Sequence, residues 1–137
     1  MSANATELSA AIDREPPFHP NVTAGTIELC ASLTHEVNRA YCATMNEHHL
    51  PWAKAPQWQV DSAIAGVRSL LENPKLTPAQ SHELWMARKL EEGWVLGAVK
   101  DEKLKTHPCL MPYDMLSPYQ RAKDVLFGAV VRTFFGL

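Results

Sequence analysis

A helix-start signature that occurs twice constrains this chain more than any other feature. Thr77-Pro78-Ala79-Gln80 and Ser117-Pro118-Tyr119-Gln120 share a hydroxyl residue, proline, a free position and glutamine. The hydroxyl can accept from the N–H three residues on, proline suits the first helical position, and the glutamine can bond back to the cap. The first of these helices runs to about Glu92, where Gly93 supplies the left-handed residue that ends it. The second runs to about Phe135, closed by Gly136. Between them, Trp94 to Val99 reads as a short strand, Lys100 to Pro108 as a polar turn, and Cys109 to Met111 as an antiparallel partner. Two strands alone are marginal, so the hairpin must lie on helices.

Upstream, helical spacing predicts a helix from about Thr26 to Asn46, with Cys30, Leu33, Val37, Ala40 or Tyr41, and Thr44 facing inward. The connection EHHLPWAKAP is stiffened by Pro51 and Pro56 and pinned by Trp52. A further helix follows, with Val60, Ile64, Val67 and Leu71 as its buried stripe, and Asn73-Pro74 ends it. In the Pro78 helix Leu84, Ala87 and Leu90 can face the core. In the last helix Ala122, Val125, Leu126, Ala129, Val130, Thr133 and Phe134 form the apolar side. Residues 1–25, broken by Pro16, Pro17 and Pro20, read as a mobile arm, or as one that Phe18 and Val22 tuck onto the domain or a partner. The expected fold is mainly α, with four principal helices and a small antiparallel β-hairpin in one compact domain over residues 26–137.

A net charge of −2 gives no broad reason to expect nucleic acid. No run reaches the ~18 apolar residues of a membrane span. Cys30, Cys42 and Cys109 fit neither a zinc pattern nor a disulfide framework, and a reducing cytoplasm is the simplest setting. The pair His48-His49 is adjacent rather than at i,i+4, and His35-Glu36 lacks a matching HExxH partner, so no metal site is expected. No GxSxG, Walker loop or GxGxxG is present, and no cysteine carries an activating signature, so no catalytic residues and no cofactor are predicted.

Tryptophan carries more information, with four in a small domain. Trp52 and Trp94 read as anchors. Trp85 differs, since His82 and Lys89 share its side of the helix and make that side mixed rather than apolar. An indole beside cations suits stacking on a planar base with phosphates alongside. On the first helix His35, Asn38, Arg39 and Cys42 share a face that is either simply solvated or a polar site beside the core.

These residues resemble a known family. His82-Glu83-x-Trp85, Gly93-Trp94, Gly97, Val99-Lys100-Asp101, His107-Pro108-Cys109-Leu110, Tyr113 and Leu116 follow in order the pattern of the RyR repeat of ryanodine receptor calcium channels. HEVNRAYC and APQWQVDSAIAGV further resemble the single-copy form encoded by bacteria and phages. The resemblance implies a mainly helical, non-enzymatic domain. In the channels an adenine nucleotide is held between tandem repeats, with a stacking tryptophan and a basic phosphate contact; carried over, these are Trp85 and Lys100. Lysine there is a compact charge rather than a fork, and Leu96 stands where an aromatic residue is frequent. A single copy lacks the second repeat, so the second wall comes from a homodimer or from Trp58, Tyr41 or Tyr113.

The resulting expectation is a binding module for an adenine nucleotide or ADP-ribose-type signal in the cytoplasm. It could be a sensor in bacterial defence signalling or, if phage-encoded, a sponge in the host cytoplasm. Trp85 would stack, Lys100 and Arg39 would meet phosphates, and His35, Glu36, Asn38, Trp58, His107 and Tyr113 would line the site. The alternative is a protein-interaction module without a small ligand, with Trp58, Met86, Met115 and Phe135 as its patch.

Overall fold

A computed structural model of the chain describes residues 22–137. The arm expected over residues 1–25 therefore lies, as far as residue 21, outside the described residues. The described part begins with a buried Val22, and Thr23 then caps the first helix by accepting from the Thr26 N–H at 3.1 Å. Four α-helices follow among the described residues: α1 (Ala24–Ala43), α2 (Gln57–Glu72), α3 (Pro78–Glu91) and α4 (Pro118–Phe135). Single 3-10 turns lie at Trp52–Lys54 and Tyr113–Met115. The chain divides into two compact units, one running to Lys75 and taking in Leu126–Leu137, the other Leu76–Val125.

The start signals act as their chemistry dictates. At Thr77 both halves of the capping box form, with the side chain accepting from Gln80 N at 3.1 Å and Gln80 Oε1 accepting from Thr77 N at 2.9 Å. At Ser117 only one half forms: Gln120 N donates to the Ser117 hydroxyl at 3.2 Å, while Gln120 Oε1 is buried with no protein partner. Gly93 ends α3 at φ 92°.

In the first unit α1 packs on α2, and Ile27, Cys30, Ala31, Val67, Leu70 and Leu71 fill the core. The inward stripe predicted for α1 is rotated. Cys30 is buried, but Leu33 and Val37 are exposed, and Thr34 and Cys42 take the inner positions. Thr34 can do so because its hydroxyl donates to the Ala31 carbonyl at 2.6 Å, leaving its methyl to pack. In α4 the stripe is also shifted: Val125 and Ala129 are exposed, while Gly128 and Val131 are buried.

The second unit departs furthest from expectation. Leu84, Ala87 and Leu90 of α3 are exposed, and His82 and Lys89 are the buried side chains. Polar partners permit this. His82 Nε2 donates to the Met111 carbonyl at 2.7 Å. Lys89 Nζ lies 3.0 Å from Glu92 Oε2 and 5.6 Å from the centre of the Trp94 ring. A buried ammonium with a carboxylate and an aromatic face avoids much of the cost of leaving water.

The first strand is shorter than predicted, the second lies at Thr106–His107 within the predicted turn rather than at Cys109–Met111, and the two run parallel rather than antiparallel. β1 (Val95–Leu96) pairs with β2 (Thr106–His107), Val95 against Thr106 and Leu96 against His107. A reversal does occur, but within the link. Asp101 Oδ1 accepts from Lys103 N at 2.9 Å and Leu104 N at 3.1 Å, Lys105 takes a left-handed φ of 53°, and Asp101 bridges Thr106 antiparallel. That turn sends the chain back alongside β1 in β1's own direction. Gly97 lets the strands approach, because a Cβ there would stand 2.6 Å from Thr106 Cβ. No rotamer of Thr106 moves its Cβ, so Gly97→Ala should destabilise by roughly 1–3 kcal/mol in urea unfolding. A variant as stable as the parent would show that the two strands can part freely.

Candidate functional site

The second unit gathers an aromatic and cationic cluster at one place. Trp85, one turn beyond His82 on α3, stands between two imidazoles. Its ring centre is 5.5 Å from His82 and 4.8 Å from His107, the latter contact edge-on. Tyr113 meets His82 edge-on at 6.0 Å, and its hydroxyl donates to the Arg121 carbonyl at 3.4 Å. The Tyr113 N–H reaches Glu83 Oε1 at 3.4 Å. α3 thus supplies His82, Glu83, Trp85 and Lys89, β2 supplies His107, and α4 supplies Lys123 and Asp124.

The two titratable groups at the centre are pushed in opposite senses. His107 is held down to about 3, first by burial, then by the positive charges of Lys100, Lys123 and Lys89 and by His82. Its Nδ1 accepts from the Cys109 N–H at 3.0 Å, so the neutral ring carries its proton on Nε2. Asp124 is pushed up to about 6 by burial, with His82 and Lys123 pulling back. His82 Nδ1 lies 3.8 Å from Asp124 Oδ2 while Nε2 is committed to Met111. Three lysines from three separate segments therefore act on one neutral imidazole beside an indole.

Residues 70–127 match the family model of the RyR domain. This segment is an RyR domain. The match takes in the end of α2, all of α3, both strands and the first part of α4. Residues that carry the sequence resemblance, His82, Glu83, Trp85, His107 and Tyr113, build the cluster, with Trp94 buried.

Of the predicted site residues, the structure places Trp85, Lys100, His107 and Tyr113 in the second unit. His35, Glu36, Asn38, Arg39 and Trp58 belong to the first unit. There His35 Nε2 donates to the Leu50 carbonyl at 2.7 Å and its ring meets Trp52 at 5.6 Å, which ties the connection after α1 to the helix. Arg39 pairs with Glu36 at 3.4 Å, and Asn38 Oδ1 accepts from the Cys42 thiol at 3.6 Å. Glu36 and Arg39 line a cleft of about 380 Å³ with Ala40, Ala43, His48 and His49. Trp58 is half-buried on α2. Sequence reasoning missed the part played by Lys123 and Asp124. Their signal was faint, a lysine and an aspartate on a helix read only for its apolar side. No helix among the described residues is long and apolar enough to cross a membrane.

Proposed function

We propose that the RyR domain binds an adenine nucleotide or an ADP-ribose-type signal without turning it over. The observation that supports this reading is the packing of Trp85 against His107, whose imidazole feels the charges of Lys100, Lys123 and Lys89. The indole offers a base a stacking surface, and Lys100 and Lys123 offer phosphates point charges, while Lys89 is buried in its pair with Glu92. Tyr113, edge-on to His82 in the same unit, is an aromatic candidate for a second wall, and a homodimer would bring a second Trp85. A bacterial cytoplasm, with the chain as sensor or phage-encoded sponge, is the setting this reading implies.

Titration calorimetry against AMP, ATP, ADP-ribose and cyclic ADP-ribose isomers tests it. Lys100→Ala, on a half-buried link residue, should weaken the phosphate-bearing ligand about tenfold or more by removing one charge-assisted contact. Trp85→Ala should remove most of the binding heat. No heat with any of the four, or full affinity in Trp85→Ala, would overturn the reading. A new product by mass spectrometry after incubation would assign turnover instead.

A second reading, a protein-interaction module, is favoured by one observation. Leu84 and Leu90 are 41% and 51% exposed on α3, and Val95 and Leu96 of β1 are exposed as well. Those four differ from the patch expected from sequence, of which Met115 is exposed while Trp58, Met86 and Phe135 are half-buried. A stable partner lost in Leu90→Glu, with nucleotide affinity absent, would select this reading.

A further inference from the structure

Helix α1 ends in a turn that brings the chain back over its own last buried side chain. Asn46 takes a left-handed φ of 59°, and the Glu47 N–H donates to the Cys42 carbonyl at 3.0 Å. The reversal collects three side chains of different donor type. One ligand atom each from Cys42, Glu47 and His49 (sulfur, carboxylate oxygen, imidazole nitrogen) lies within 4.8 Å of the others. Glu47 Oε1 and His49 Nε2 are 3.5 Å apart. The thiol is fully buried, and the other two are half-buried.

We propose that Cys42, Glu47 and His49 form a binding site for a borderline divalent transition metal, with zinc the ion that fits best. A mixed sulfur, nitrogen and oxygen set is wrong for magnesium or calcium, which take oxygen ligands. In a tetrahedral zinc site the bond lengths place neighbouring ligand atoms about 3.3–3.8 Å apart. The Glu47–His49 separation of 3.5 Å already lies in that range, and all three ligand atoms lie within 4.8 Å of one another. His49 also lines the cleft that holds Arg39 and His48. The fourth position would open toward that cleft, which the Glu36–Arg39 ion pair also lines. Three protein ligands with an open fourth place describe a site for an exogenous ligand rather than a closed structural knot.

Binding replaces the thiol proton by the metal, and that proton leaves to solvent, so affinity rises with pH. Asn38 is placed to support the change. Its Oδ1 accepts from the thiol, and the same amide turned end for end would donate an N–H to the thiolate. The sequence shows the set only as C-x4-E-x-H, a spacing that needs the Asn46 reversal to converge.

Cobalt(II) titrated into the EDTA-treated full chain tests the proposal. One equivalent should produce visible d–d bands of tetrahedral intensity and a near-ultraviolet thiolate charge-transfer band, both removed by one equivalent of zinc. Cys109→Ser should keep both. Cys42→Ser should lose the charge-transfer band, and His49→Ala should weaken cobalt at least about tenfold, in line with loss of a direct ligand. Circular dichroism checks that each variant is folded; should Cys42→Ser unfold, His49→Ala and Glu47→Gln carry the test. A folded parent without a charge-transfer band, a band that survives in Cys42→Ser, or unchanged affinity in folded His49→Ala and Glu47→Gln would overturn it.

Discussion

Truncating Trp94 to alanine should cost about 3–5 kcal/mol, the range for emptying a buried indole site. The side chain is 3% exposed and directly follows the left-handed Gly93. The Trp94 backbone N–H donates to the Lys89 carbonyl at 2.9 Å, so the residue is locked to the end of α3. Its ring also stands 5.6 Å from the buried Lys89 ammonium. Alanine would leave both a void and a buried cation with one fewer favourable face. Urea unfolding should show a large fall in midpoint with little change in slope. A loss below about 1 kcal/mol would mean that the site collapses around the missing ring, against the close packing expected of such a core. Trp85 should behave differently, because it is only half-buried and its removal bears first on binding.

Stability of the parent should be nearly flat between pH 4 and 6, and Asp124→Asn should make it climb with pH. Asp124 titrates at about 6 in the folded protein, against an ordinary 3.8. Between those values the folded state keeps a proton that the unfolded chain has released, so this group's contribution falls as pH rises, by about 3 kcal/mol at most. His107 has the opposite sign. It titrates at about 3 when folded and 6.5 ordinarily, so its contribution is complete above 6.5 and is lost as pH falls toward 3. Over the shared window the two slopes offset one another. Asparagine removes the falling limb, and the His107 slope, about 1.4 kcal/mol per pH unit for one proton, should then be visible. Urea midpoints at pH 4, 5, 6 and 7 decide the matter. Parallel profiles for parent and variant would show that Asp124 carries an ordinary carboxyl.

Elements whose signals are local could be read from sequence. The Thr77 capping box, the proline starts and the Gly93 stop involve atoms within four residues of each other, and all appear as chemistry requires. Strand direction depended on Lys105 adopting a left-handed conformation with no glycine to announce it. Helix rotation failed for a different reason. Counting apolar residues on α3 selects Leu84, Ala87 and Leu90, but burial went to His82, whose partner Met111 lies 29 residues away, and to Lys89, whose partner Glu92 caps the end of the same helix. A polar side chain reads as outward until its partner is known. The same holds for Thr34 on α1, satisfied by the carbonyl one turn back. Within the candidate site, the motif residues Trp85, His107 and Tyr113 were legible as an ordered set. Lys123 and Asp124 were not, since their role arises only when α4 faces β2 and α3.

The half-buried Cys109 offers a practical handle. Cys30 and Cys42 have no exposed surface, and burial pushes the Cys30 thiol up to about 11, far from the nucleophilic thiolate. Cys109 is the one thiol of the three with surface open to solvent, and its own N–H is the donor held by His107 Nδ1. A sparing dose of a fluorescent maleimide would therefore mark the native chain at a single place, with no engineered cysteine. The dye would sit two residues from the imidazole that three lysines act upon, where its emission would register the arrival of any charged guest.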